Sequence, residues 1–449
     1  MKRFLIAGAA MLAMGTALAA PAQAELKVGA AKVDWTPAAK SLKEPYTGVL
    51  DPIYVRAIAL ESNGERAALV TVDVGAIPTD LWSGVTARLS SDLGIAPERV
   101  MLTATHTHSV PWGPHPKLED QIVQAVREAV GKMQPGKVAF GEGKSYINVN
   151  RNIIDPDNRR WWEGPNVDGP SDKTVAVLRF ENAAGKPVAV YYNYAVHAVL
   201  TGNLDLVSGD LPGAASRYIE NAMGDDVVAV WSEGAAGDQN PIFFQQTYDL
   251  RAIRIADYAK RGEDISNAMP PGGVGMDRKN PQVAKLMEQQ KQMAQSMGQM
   301  LGEEVLQTMR TRLERPEKVE GIAGASKTLV CPGRERTDKG RAGYAGTYVD
   351  AADIPIHLSM LKIGDVFIGG VNGEVFNPIA TSFKAQAPSR RTMMATLTNG
   401  FGPSGYIPND AAFGQYTFEV VSSRLKPGCA ESGIVNGLLD LVEQTDAAK

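Results

Sequence analysis

Short runs of alternating apolar and polar residues, interleaved with stretches of helical spacing, fill most of this chain. Leu26 to Val33 reads as a first strand, ending at Asp34-Trp35-Thr36-Pro37. Val55 to Ser62 and Arg66 to Val74 alternate about Asn63-Gly64, a dipeptide suited to a two-residue hairpin turn. Thr79 to Leu93 has helical spacing, Val100 to Thr105 reads as a buried strand, and Glu119 to Met133 as a helix ended by Pro135-Gly136. Strands follow at Val138–Gly141, Thr174–Phe180 and Pro187–Tyr194, then a helix from Leu211 to Met223 and a buried strand from Val227 to Trp231. Pro281 to Leu313 is a long amphipathic helix, and strands return at Ile354–Ile363, Asp365–Val371 and Met393–Thr398. Gln245 to Asn280 carries charges and Pro270-Pro271-Gly272-Gly273 without clear periodicity, and reads as an irregular segment. The pattern predicts an α/β protein with mixed β-sheets flanked by helices.

The N-terminus reads differently. Lys2-Arg3 precedes an apolar run from Phe4 to about Ala20, followed by Pro21-Ala22-Gln23-Ala24. This is the layout of a signal peptide over residues 1–24, cut after Ala24, and it predicts a periplasmic or secreted protein. No cysteine follows the predicted cut to carry a lipid, and no later segment is apolar enough for a transmembrane anchor. About 425 residues then remain, more than one core usually holds, so two lobes or one elaborated domain are expected. The formal net charge of -4 and the lack of a basic stripe with interleaved aromatics speak against nucleic acid as a partner. Export also permits the two cysteines, Cys331 and Cys429, to join. A bridge closing so long a loop stabilises by very roughly 4–5 kcal/mol on the chain-entropy view; the alternative is two separate buried thiols.

Candidate chemistry gathers at strand ends. Two of the five histidines, His106 and His108, follow the apolar run Val100 to Thr105. On an extended backbone residues i and i+2 face the same side, so both imidazoles can converge on a metal or form a buried polar pair. Val190 to Val196 ends on His197, and Asp365 to Gly373 ends on Glu374. Two histidines and a carboxylate at three strand ends suit the open coordination of catalytic zinc, although Glu374 equally suits a helix cap. Asp210 and Asp238 read either as partners of such histidines or as a helix cap and a turn residue. His357 reads as a strand residue, His115 as a loop or near-site residue, and Trp161-Trp162 as a groove lining or a packed loop. Met287, Met293, Met297 and Met300 recur at helical spacing and read as packing residues.

Thr103-Ala104-Thr105-His106-Thr107-His108-Ser109 resembles the zinc-binding segment of neutral ceramidases. The resemblance continues, in order, through Asn148-Val149-Asn150-Arg151, Tyr194-Ala195-Val196-His197, Val207-Ser208-Gly209-Asp210, Gly237-Asp238-Gln239-Asn240-Pro241 and Gly373-Glu374. It spans about residues 26 to 440 and identifies the chain with the neutral/alkaline ceramidase superfamily. It implies a Zn2+ ion held by His106, His197, Glu374 and a tyrosine, for which Tyr406 in Gly405-Tyr406-Ile407-Pro408 is the match. It implies that His108 lies beside the metal as a proton carrier, that Arg151 stabilises negative charge, and that Tyr416 is a second active-site tyrosine.

Three departures stand against these matches. The family's Gly-Asn-x-Ser-Pro loop has Asn240 at the serine position, where it can donate an amide N–H to an oxyanion but cannot be acylated. The family's C-terminal immunoglobulin-like domain has no counterpart, so residues 25–449 are expected to be the hydrolase domain alone. The irregular Gln245 to Asn280 segment is expected to reshape the mouth of the cleft. The resulting expectation is a zinc-dependent hydrolase that cleaves an N-acyl amide by a metal-activated water. Its expected partner is a small-molecule or lipid substrate with an acyl group, ceramide being the candidate the resemblance implies. The alternative, favoured by Asn240, is an esterase, lactonase or other hydrolase on a non-lipid substrate.

Overall fold

The alternating segments of the first half of the chain pair into an eight-stranded mixed sheet. The computed structural model describes residues 26–447 apart from 114, 158, 225, 267–269, 271, 317–318 and 320, so the expected signal peptide lies outside the described residues. In spatial order the strands are Val228–Glu233, Pro187–Tyr194, Thr174–Asn182, Gln134–Lys144, Lys27–Asp34, Tyr54–Ser62, Glu65–Val72 and Val100–Ala104. The two edge strands run parallel to their neighbours, and the pairings between them are antiparallel. Parallel pairs need crossover connections, and the helices Thr79–Leu93 and Asp210–Met223 provide them. The sheet curls until its edges approach, and the Thr71 hydroxyl donates to the Trp231 carbonyl across the gap. Loops leaving the two edges are thereby brought together.

A four-stranded sheet, Ile322–Arg336, Tyr348–Ile363, Val366–Val371 and Thr392–Thr396, packs face to face with the first. Their shared core includes Leu26, Ile58, Leu178, Leu361 and Ile368. Helices cover the outer faces. Thr79–Leu93 and Leu118–Gly131 contribute Leu89 and Ile122 against Val55 and Val70. Asp210–Met223 and Pro281–Thr311 contribute Ile219 and Leu301 against Trp231. On the far side, Asn377–Gln386 and Ala430–Ala447 contribute Phe383 and Leu438 against Met360. The result is a helix–sheet–sheet–helix stack in which alternate residues of each strand meet different layers.

Local signals act as expected at several points. Asn63 and Gly64 take φ values of 54° and 80°, the left-handed pair that a tight hairpin requires. Asn280 caps the long helix by accepting from the Gln282 N–H, with Pro281 at the first helical position. Met287, Met293 and Met297 pack inward from that helix, while Met300 is exposed. His357 is a residue of the Tyr348–Ile363 strand. Two expectations are corrected. Pro135-Gly136 does not merely end a helix but lies within the Gln134–Lys144 strand, where it pairs at the sheet seam. Gln245 to Asn280 is not irregular throughout, because Gln245–Ala259 is a helix. Its buried Arg254 donates to the carbonyls of Pro270, Gly272 and Val274, and so fixes the following loop from within.

Cys331 and Cys429 are joined, with Cα atoms 5.7 Å apart across a separation of 98 residues. The bridge ties the longest strand pair to the start of the last helix. Among the described residues, no helix is long and apolar enough to cross a membrane. Under the first sheet, the fully buried Arg56 guanidinium is held by Glu220 at 2.8 Å and Asp73 at 3.3 Å.

Candidate active site

The first cluster forms where the two curled edges meet. The Val100–Ala104 strand stops short of the histidines, and His106 takes a left-handed backbone with φ 60°. The expected same-side geometry of an extended His-x-His is therefore corrected. His108 is carried to its place by a loop, anchored by its N–H on the Ala198 carbonyl and by the Thr107 hydroxyl on the Ser208 carbonyl. Convergence nevertheless results. His106 Nε2 lies 3.2 Å from His197 Nε2 and 3.4 Å from His108 Nε2. Glu374 Oε2 lies 3.2 Å from His197 Nε2 and 3.4 Å from His106 Nε2. Glu374 does not cap the following helix, which begins at Asn377 with Phe376 at its cap.

Each of the two innermost imidazoles is oriented by a backbone carbonyl. His106 Nδ1 donates to Gly75 O at 2.6 Å, and His197 Nδ1 donates to Ala236 O at 2.7 Å. In the neutral rings this leaves the lone pair on Nε2, where the cluster converges. Asp210 and Asp238 do not orient these rings. Asp210 accepts from Thr201 and from the Leu211 N–H, and Asp238 from the Asn377 N–H and the Asn150 amide. Trp112 stands edge-on to His106 and His108, with ring centres 6.2 and 5.6 Å away. Gly75 permits this, since a Cβ there would lie 2.4 Å from the indole.

The charges of this cluster are strongly coupled. Burial lowers the His106 pKa, but the Glu374 carboxylate outweighs it and lifts the imidazole to about 9. Burial and the Arg151 charge push His197 down to about 4. Burial, followed by the charges of His106 and His197, holds His108 well below its ordinary range. Burial pushes the carboxyl of Glu233, at the end of the Val228–Glu233 strand, up to about 8.

A second cluster adjoins the first. Gln239–Pro241 pairs with Asn148–Asp155, setting Asn240 opposite Val149 and bringing Arg151 beside it. Arg151 donates from Nε to Glu419 at 2.6 Å, from Nη1 to Asn240 Oδ1 at 3.1 Å, and from Nη2 to the Gly237 carbonyl at 2.7 Å and the Tyr406 hydroxyl at 3.3 Å. Burial opposes its charge, but Glu419 and Tyr406 hold its pKa above the usual range. Tyr406 is linked to the first cluster through its backbone, which pairs in parallel with Glu374. Gly237 is required at this crossing, because a Cβ would lie 2.5 Å from the Glu374 carbonyl.

Asn240, expected as an oxyanion donor, sits within a network of side chains. Its amide donates to Glu163 at 3.0 Å and faces the Tyr248 hydroxyl at 3.4 Å, while its carbonyl accepts from Arg151. Tyr416 is 37% exposed, while Tyr248 joins the buried network alongside Tyr406. Sequence reasoning also missed Glu419, Glu163 and Glu233. Only Glu233 carried a signal, since it ends an apolar run just as His197 and Glu374 do.

A cleft of about 1390 Å³ opens at His108. Its walls include Trp35, Tyr46, Val110 and Phe244, with the Glu163–Arg251 ion pair on its lining. His115 lies on the same wall, edge-on to Trp35 and bonded to the Pro111 carbonyl. Trp162 packs 5.3 Å from the Arg251 guanidinium.

Layer order, curled edges and a histidine–carboxylate cluster at strand ends define a layered α/β protein with a polar centre opening into an apolar cleft. Residues 38–314 match the N-terminal domain of the neutral/alkaline non-lysosomal ceramidases, and the chain belongs to that family. It is 28% identical over 302 residues to the neutral ceramidase of Pseudomonas aeruginosa, a match covering 56% of this chain and 44% of that one. Neutral ceramidase A of Dictyostelium discoideum is 28% identical over 214 residues, 41% of this chain and 30% of its own length. The chain thus spans less than half the length of these relatives. A solved structure described as a ceramidase complexed with C2 superposes with a TM-score of 0.70 at 18% identity, covering 95% of this chain and 76% of that one. The crystal structure of the Pseudomonas aeruginosa neutral ceramidase gives 0.67 at 18% identity, with coverages of 94% and 74%.

Proposed function

We propose that this protein is an exported zinc-dependent hydrolase that cleaves the amide bond of an N-acyl compound, with ceramide-like lipids as the leading substrate class. The observation that carries this reading is the spacing of the donors. Nε2 of His106 and His197 and Oε2 of Glu374 lie 3.2 to 3.4 Å from one another. Donors on a tetrahedral zinc ion stand about 3.3 Å apart, from bond lengths near 2.0–2.1 Å. Inner nitrogens so close need a proton or a metal cation between them, and backbone carbonyls turn those of His106 and His197 inward. The donor set therefore fits zinc.

His106, His197, Glu374 and Tyr406 are the proposed metal-holding residues, with His108 beside them. Bound zinc supplies Lewis acidity and lowers the pKa of water. His108, held neutral and lining the cleft, takes the proton of the attacking water on Nε2 and returns it to the leaving nitrogen. Arg151, locked by Glu419, presents fixed positive charge to the developing oxyanion through its remaining Nη1 hydrogen. Trp112 shields the histidines on the cleft side. The apolar walls receive an acyl chain.

Residues 25–449 form the proposed hydrolase domain, preceded by a signal peptide, and the Cys331–Cys429 bridge supports an oxidising destination such as the periplasm. A second reading is an esterase or lactonase acting on a more polar substrate. It is favoured by Asn240, whose amide is engaged with Glu163 where the family has a serine. Hydrolysis of a short-chain fluorogenic ceramide, compared with matched N-acyl amino acids and simple esters, tests both. Zinc-dependent ceramide cleavage lost in His106→Ala supports the first reading. Turnover of esters alone would replace it with the second.

A further inference from the structure

We infer that Glu233 belongs to the metal centre, as a buried carboxylate that a bound dication neutralises and that sets the affinity of the site. The inference rests on the metal reading above. Glu233 ends the Val228–Glu233 strand, where its backbone pairs in parallel with Tyr194, three residues before His197. Thr396 fastens this strand end from the other sheet by donating to the carbonyls of Glu233 and Gly234, at 3.3 and 2.8 Å. The residue is 1% exposed, and its Oε2 has no hydrogen-bond partner among the described residues. Its electrostatic neighbours are His106, Glu374 and Arg151.

The other buried carboxylates here are supplied differently. Glu374 has two imidazoles, Glu419 has the Arg151 guanidinium, and Asp238 has two amide donors. Glu233 has no such hydrogen-bonded partner at Oε2, and a buried carboxyl so placed keeps a charge only if a counter-charge stands close. Its neighbour His106 is one of the converging imidazoles. A dication among those imidazoles supplies the missing counter-charge, and the carboxylate in turn strengthens its hold, as outer partners of metal ligands do.

The test uses the full chain, stripped with a chelator and titrated with zinc against a chromophoric competitor, with thermal melts of both forms. Glu233→Gln keeps the shape and removes the charge, and Glu233→Met does so without polar atoms. Zinc affinity should fall about 10–100-fold in both variants. The metal-free Tm should stay close to wild type, because burial already favours the neutral carboxyl there, and the gain in Tm on adding zinc should shrink. A purely structural glutamate predicts a lowered Tm for the metal-free form and an unchanged gain on adding zinc. Zinc affinity within about twofold of wild type, or a lowered metal-free Tm in both variants, overturns the inference and leaves the metal site standing. Wild-type protein that binds no zinc overturns the metal reading itself, and the inference with it.

Discussion

The two clusters that meet at the cleft are built on opposite principles. Around His106, side-chain atoms of like character crowd together with their outer nitrogens tied to the backbone and their inner ones directed at each other. Around Arg151, every contact joins a donor to an acceptor: guanidinium to carboxylate, carbonyl and hydroxyl, and the Asn240 amide to Glu163. The first arrangement could hold a metal ion, whereas the second is largely saturated by the protein itself. The comparison teaches that Asn240 is built into a scaffold of hydrogen bonds while the inner nitrogens of the histidine cluster face one another.

The most severe break of that contrast is His106→Ala. It should abolish zinc binding and reduce zinc-dependent hydrolysis at least about a thousandfold, since Lewis-acid stabilisation is worth several kcal/mol. Retained zinc stoichiometry, read by metal analysis of the purified variant, would show that the cluster is not the binding site.

The buried Arg56 network provides the control. Glu220→Gln breaks the buried pair with Arg56 and should cost about 3–5 kcal/mol in denaturant melts, with zinc affinity unchanged. Burial raises the Glu220 pKa, but Arg56 and Lys32 outweigh it and leave the group below its usual range. A depressed carboxylate contributes stability above its unfolded pKa of about 4.3 and loses it as pH falls through the folded value. Wild type should therefore weaken steeply below about pH 4, and the variant should show a flatter acid limb. An unaltered acid limb would count against this assignment.

Within the second cluster, Arg151→Lys keeps the charge and loses the fork that reaches Glu419, Asn240 and Gly237 together. It should lower kcat about a hundredfold while KM and zinc affinity hold. An effect confined to KM would move Arg151 from the reacting centre to substrate binding.

The smallest effect is the most discriminating. Asn240→Ser introduces the serine that the resemblance expects there but forfeits the bond to Glu163, and should cost about 1 kcal/mol of stability with activity changing less than about threefold. A tenfold or larger gain in ceramide hydrolysis would mean that the second cluster is a dormant nucleophile site and not a scaffold.

Much of the architecture was legible where a single period dominates. Pro187–Tyr194 and Thr79–Leu93 have the same bounds in the sequence pattern and in the fold, because one face of each meets a continuous apolar layer. The strand-end pattern also gathered His106, His197 and Glu374 in advance, with the family resemblance adding Tyr406 and Arg151. What escaped depends on tertiary contact. The Gln245–Ala259 helix buries only Leu250, Arg254 and Tyr258, too few and too polar to stand out as an amphipathic stripe. The left-handed turn at His106 has no glycine to announce it. Glu419 follows Asn240 by well over a hundred residues, yet both bond the same guanidinium, and no local spacing records that.

The bridge between Cys331 and Cys429 also bears on the order in which this molecule is completed. His106, His197, Glu374 and Tyr406 all precede Cys429 along the chain, so the centre can assemble before the clasp exists. Closing it fastens the last helix to the longest hairpin, a late act in the order of the chain. A mild reductant should therefore loosen that flank of the protein first, with the histidine–carboxylate cluster failing later.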